Sequence, residues 1–211
     1  MRRIVLTVVT TTCLWVLIVG AGFADTLNLQ GLPSNTFEGY YVGPVPGNLN
    51  GGPQFDFVCD DFSTPTYVPN SFAVNVSTLA NLTQTKFGGE PGALFKYQEV
   101  AWLLGQMDSN PSQVGPIQFA AWSIFTPSTP NVPGEADWLS AALSINPSDW
   151  GFSSVRIYTA TNTINQEFVS GGATSVPEPA AVLLLACGLI GLGLFERKRR
   201  KKAVSSISGR T

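Results

Sequence analysis

The residues able to do chemistry in this chain of 211 residues are few, and the missing types narrow the field first. There is no histidine. A Ser-His-Asp triad, a Cys-His pair and a His-ligated metal centre are therefore excluded. Three cysteines, Cys13, Cys59 and Cys187, fall short of a four-cysteine zinc site. The loop Gly88-Gly89-Glu90-Pro91-Gly92 lacks the lysine and the spacing of a phosphate-binding loop, which excludes nucleotide binding. What remains is Cys59, a cluster of Asp56, Asp60 and Asp61, the amide of Gln118, and the tryptophans Trp102, Trp122, Trp138 and Trp150.

Each of these admits more than one chemistry. Cys13 and Cys187 both lie in apolar terminal stretches, so Cys59 is the only cysteine of the middle region. A lone cysteine in an exported protein is an intermolecular disulfide, a special thiol, or a small buried hydrophobe. The aspartates suit a calcium ion, although no EF-hand spacing is present, or a solvated turn capped by a side chain. As a carboxylate pair they suit a glycosidase. Adjacent Asp60 and Asp61 would, however, point to opposite faces of a continuing strand. The tryptophans are either core or a sugar-stacking platform. Trp150, between Asp149 and Gly151, is the one expected at the surface.

The elements that must position these residues follow from periodicity. Phe37 to Val42 reads as a strand ended by Gly43-Pro44. Gln54 to Cys59 alternates Phe55 and Phe57 against Asp56 and Val58, and Phe72 to Val76 alternates likewise. Ala93 to Leu104 has helical spacing and Gly105 as its stop. Pro116 opens a second helix over Ile117 to Phe125, with Ile117, Ala120, Ala121 and Ile124 as its stripe. Glu135 to Leu143 reads as a third helix, and Val155 to Thr161 as a closing strand. The expected fold class is α+β, one domain of antiparallel strands with about three helices.

The net charge of −2 hides three regions. Residues 1–24 carry Arg2 and Arg3, then an apolar run, then Gly22-Phe23-Ala24. That is the pattern of a secretory signal peptide. Residues 25–170 are the expected exported body. Up to residue 176, three bases (Lys86, Lys96, Arg156) face twelve acids, a net of −9. So acidic a body repels phosphates, and no nucleic-acid partner is expected. Residues 171–179 read as a flexible linker followed by Pro177-Glu178-Pro179. Residues 180–195 are uncharged and read as a short transmembrane helix of roughly 24 Å. Residues 196–211 begin with Glu196 and then Arg197, Lys198, Arg199, Arg200, Lys201 and Lys202, a cluster expected to stay cytoplasmic.

Pro-Glu-Pro, a short apolar helix and a basic tail in that order resemble the PEP-CTERM sorting signal of Gram-negative bacteria. The resemblance covers residues 176–202. It implies an exosortase-type sorting transpeptidase as a partner and transient anchoring in the inner membrane. It also implies cleavage near Pro177-Glu178-Pro179 and delivery to the cell surface or exopolysaccharide matrix.

A second resemblance lies in the body. Phe57-Val58-Cys59-Asp60-Asp61-Phe62, followed later by Ile117-Gln118-Phe119-Ala120-Ala121-Trp122, resembles the thioester domains of bacterial surface adhesins. Those domains join a Cys sulfur to a Gln side-chain carbonyl with loss of ammonia. The resemblance implies Cys59 and Gln118 as the bonded pair, with Ala120 and Trp122 matching the helix. Asp60 and Asp61 are then placed to assist proton transfer, since no histidine is present. Val58 departs from the aromatic residue often found before the Cys, and the Cys-to-Gln separation is short. The other reading of the same residues is an inert cysteine and a glutamine bonded to backbone.

The expectation is a non-enzymatic surface or matrix protein with an adhesive body. It would act on cell-surface polysaccharide or surface amines and needs no cofactor or metal. The alternatives are a polysaccharide-binding module and an Asp-dependent glycoside hydrolase.

Overall fold

A computed structural model describes residues 24–175. The expected signal peptide, the PEP motif, the apolar helix and the basic tail lie outside the described residues. The chain runs β1 (Asp25–Leu29), β2 (Asn35–Phe37), β3 (Tyr40–Val42), β4 (Val45–Leu49), β5 (Gln54–Cys59), β6 (Asn70–Ser77), α1 (Ala93–Ser109), α2 (Val114–Phe125), α3 (Glu135–Leu143), β7 (Trp150–Gly151), β8 (Arg156–Ala160), β9 (Phe168–Ser170) and β10 (Thr174–Ser175). The fold is α+β, as expected.

Six strands close into an antiparallel barrel in the order β1-β4-β5-β9-β8-β6. Closure pairs the chain's first strand with its middle: Asp25 faces Val74 and Leu29 faces Asn70. It also pairs Cys59 at the end of β5 with Phe168 of β9. Closing the sheet removes the exposed edges that antiparallel strands otherwise carry. The three helices are inserted between β6 and β8 and pack on one another.

Helix α2 is central. Of its twelve residues only Ser123 escapes burial. A helix apolar nearly all round sits inside a structure, not on its surface. Its Pro116 occupies the first turn, where a missing N–H costs nothing. Gly115 lets β2 approach: a Cβ there would lie 2.4 Å from the Phe37 ring.

Three expectations change. The single strand over residues 37–42 is a hairpin. Glu38 (φ 49°) and Gly39 (φ 86°) turn the chain so that Phe37 faces Tyr40. Helix α1 runs through Gly105 to Ser109. The stop signal fails because Gly105 packs on a chain segment: a Cβ there would meet the Ala173 carbonyl oxygen at 2.9 Å. That segment is the first part of the predicted linker. It is docked on the body, with Ala173 N–H donating to Ala101 O at 3.0 Å and β10 paired to β7.

Candidate functional site

Cys59 is the last residue of β5, and Gln118 lies one turn into the buried interior of α2. Both side chains line one cavity of about 350 Å³. Cys59 is 7% exposed and Gln118 1%. The Gln118 amide is held at both ends. Its Nε2 donates to the Cys59 carbonyl oxygen at 2.7 Å, and its Oε1 accepts from the Gly43 N–H at 3.2 Å. The thiol donates to the Asp61 carbonyl at 3.2 Å, and the Asp61 N–H points back at the sulfur at 3.3 Å.

An amide held in this way beside a buried thiol is an arrangement that acyl transfer can use. The Gly43 N–H sits on the oxygen that gains negative charge when a nucleophile attacks the Gln118 side-chain carbon. That is the role of an oxyanion-hole donor. Gly43 is required for two reasons. Its φ of +90° is unfavourable for any other residue, and a Cβ would lie 2.6 Å from Val114. Burial raises the Cys59 thiol well above its ordinary value, with the charges of Asp60 and Asp61 adding to the effect. An environment hostile to thiolate favours the uncharged states of this pair, thiol plus amide or thioester. Trp122, one turn beyond Gln118, lines the same cavity, and its indole N–H is buried without a hydrogen-bond partner.

The mouth is aromatic. Tyr40, from the hairpin, packs on Phe62 (5.5 Å between centroids), Phe119 (5.5 Å) and Trp122 (6.2 Å). Tyr41 beside it is 54% exposed.

Asp60 and Asp61 are not in a solvated turn. Both are fully buried. Asp61 is bonded to Lys86 Nζ and accepts from the Ser63 N–H at 3.0 Å. Asp60 has no hydrogen-bond partner on either carboxylate oxygen. Burial, then the charges of Glu167 and Asp61, raise its pKa well above the usual carboxylate range. That environment penalises its ionised form. Neither aspartate lines the cavity that holds Cys59.

Sequence reasoning missed Glu167, which is also raised by burial. It is 1% exposed and takes hydrogen bonds from Tyr97 Oη, Thr159 Oγ1 and the Lys86 N–H. It also missed Gly43, whose Gly-Pro signal it read only as a strand stop. Among the described residues no group of three or more Cys, Asp or Glu side chains is arranged to hold a metal. The four tryptophans do not form one platform. Trp102 packs with Trp138 and Trp150 at 6.3 and 6.1 Å, away from Trp122. Trp150, expected at the surface, is partly buried against the core.

No family model matches the chain, and no curated protein matches it. Solved structures do. The N-terminal thioester domain of a surface protein from Clostridium perfringens is similar with a TM-score of 0.46 at 12% identity, over 71% of this chain and 99% of that one. The N-terminal domain of the Streptococcus pyogenes pilus tip adhesin Cpa has a TM-score of 0.41 at 14% identity, over 73% and 95%. The N-terminal thioester domain of fibronectin-binding protein SfbI from the same organism has a TM-score of 0.40 at 13% identity, over 74% and 95%.

Proposed function

We propose that the body is a surface adhesin carrying an internal thioester between Cys59 Sγ and the Gln118 side-chain carbonyl carbon. The supporting observation is the seating of the Gln118 amide. It bonds the Cys59 backbone through nitrogen and the Gly43 N–H through oxygen, on the wall of the cavity that Cys59 also lines. Formation is balanced without an outside reagent. The S–C bond forms, the C–N bond breaks, and the thiol proton leaves with the nitrogen as ammonia. Burial then protects the product. Hydrolysis would leave a carboxylate at position 118, and an unpaired buried charge is costly. An amine or hydroxyl on a partner surface takes the acyl group and leaves the two surfaces covalently joined.

The export and sorting signals read from residues 1–24 and 176–202 complete the proposal. The body is released outside the cell, held briefly by the short helix, and passed by an exosortase-type transpeptidase to the surface or matrix. The reaction consumes the thioester once per molecule, so the protein is an adhesin and not an enzyme. A glycoside hydrolase finds no support, since Asp60 and Asp61 are sealed away from the cavity.

Intact mass spectrometry of the protein purified from its exporting host tests this. The expected result is a deficit of one ammonia, abolished in Cys59→Ala, with methylamine labelling Gln118. The same spectrum reads the mature termini, expected after residue 24 and near the PEP motif. A full unmodified mass together with an alkylatable Cys59 in folded protein overturns the thioester.

A further inference from the structure

The cavity's lining narrows what the thioester accepts. None of its lining residues is an aspartate, glutamate, lysine or arginine. Apart from Cys59, its titratable side chains are the phenols of Tyr40 and Tyr41. Tyr40, Tyr41 and Phe62 give the lining aromatic faces, and Ser63, Thr66 and Gln166 give it neutral polar groups. Of the charged residues near the lining in sequence, Asp60 and Asp61 are fully buried, Lys86 is bound to Asp61 and Thr64, and Glu38, exposed in the β2–β3 turn, does not line the cavity.

Such a site has two chemical consequences. No base faces the incoming nucleophile, so a hydroxyl, which needs its proton removed, is a poor acyl acceptor. An amine attacks unaided, but only when neutral. A lysine side chain is neutral in roughly one molecule per thousand near pH 7.5. In its charged form it finds no carboxylate here to offset desolvation. The nucleophile that suits the cavity is a weakly basic amine on a ring that stacks on tyrosine faces and hydrogen-bonds to neutral side chains.

Resting on the thioester reading, we propose that the acyl acceptor is the free amine of an amino sugar in a de-N-acetylated polysaccharide. The sugar amine nitrogen attacks the Gln118 side-chain carbon while the Gly43 N–H holds the oxygen. The N–C amide bond forms, the C–S bond breaks, and one amine proton ends on Cys59 Sγ as a thiol. Electron-withdrawing ring oxygens keep such an amine partly neutral at neutral pH. Tyr41, exposed and on the cavity wall, offers the face for the sugar ring. A cavity of about 350 Å³ lies in the range of small-ligand sites.

The test compares three probes on the thioester-bearing protein by intact mass: a β-1,4-linked glucosamine tetramer, its fully N-acetylated counterpart, and glycinamide, an amine of similar basicity without a ring. The glucosamine tetramer is expected to add at least about fivefold faster than glycinamide, and Tyr41→Ala to bring that ratio toward one. The N-acetylated tetramer should give no adduct. Equal rates for tetramer and glycinamide, a ratio untouched by Tyr41→Ala, or an adduct with the acetylated sugar each overturn the amino-sugar assignment while leaving the thioester standing. A full unmodified mass with an alkylatable Cys59 in the folded wild-type protein overturns the thioester itself, and the assignment with it.

Discussion

Asp60 concentrates the residue-scale physics of the site. It is a carboxyl group with no exposure and no hydrogen bond, one residue from the proposed acyl-transfer cysteine. Its folded pKa is raised, with burial the largest cause. In the pH range between its ordinary value of about 4 and that raised value, the folded protein holds a proton that the unfolded chain has released. Stability is therefore complete below the ordinary value and falls as pH rises toward the folded one. Glu167, raised in the same direction, adds to the slope. Urea melts between about pH 5 and pH 8 are expected to show lower stability at the upper end, and Asp60→Asn to flatten the dependence without abolishing it. A midpoint that rises with pH, or a slope identical in Asp60→Asn, would refute the assignment of this linkage to Asp60.

At the scale of elements, packing overrides local signals in a testable way. Gly105 sits inside α1, where alanine is favoured over glycine by about 1 kcal/mol. Intrinsic propensity alone predicts that Gly105→Ala stabilises the protein. The structure predicts the opposite. The added Cβ would press on the backbone of Ala173, and Gly172 on the other side lies so close that its own Cβ would meet Gly105 Cα at 2.7 Å. Separating the two should cost about 1–3 kcal/mol and expose residues 171–175. Thermal melts with limited proteolysis of that segment check it; a raised melting temperature with the segment still protected would refute the contact. The same pair explains what the sequence could reveal. Strands and helices with a clear period (β5, β8, α2, α3) were legible, as were Cys59 and Gln118 through the local patterns around them. Gly43 and Glu167 were not. Their roles depend on bonds to residues 75 and 70 positions away, which no window of periodicity contains. The stop at Gly105 was misread for the same reason, since its partner is a segment that pattern alone assigns to a linker.

A molecule with the proposed thioester has to keep the acyl group from its own amines, and the placement of the lysines in residues 25–176 suits that need. The residues from 25 to 176 contain two lysines, Lys86 and Lys96. Both are engaged, Lys86 with Asp61 and Lys96 with Glu90 at 2.6 Å. Neither lines the Cys59 cavity. A thioester in this setting should survive purification, and a lysine placed at the cavity mouth should consume it. Leu32 is the position to use: it lines the cavity and is 48% exposed, so a lysine there keeps its charge in water while its stem lies on the apolar wall. In Leu32→Lys the new amine takes the Gln118 acyl group and releases the Cys59 thiol. The ammonia deficit persists, because the amide replaces the thioester without gain or loss of atoms. Two other readings change: methylamine no longer labels Gln118, and Cys59 becomes alkylatable after denaturation. A tryptic peptide joining the substituted side chain to Gln118 locates the bond. Methylamine labelling at the wild-type level in Leu32→Lys would mean that the acyl carbon is not reached from the cavity mouth. Entry would then lie elsewhere on the barrel, and the scarcity of lysine would have no protective role.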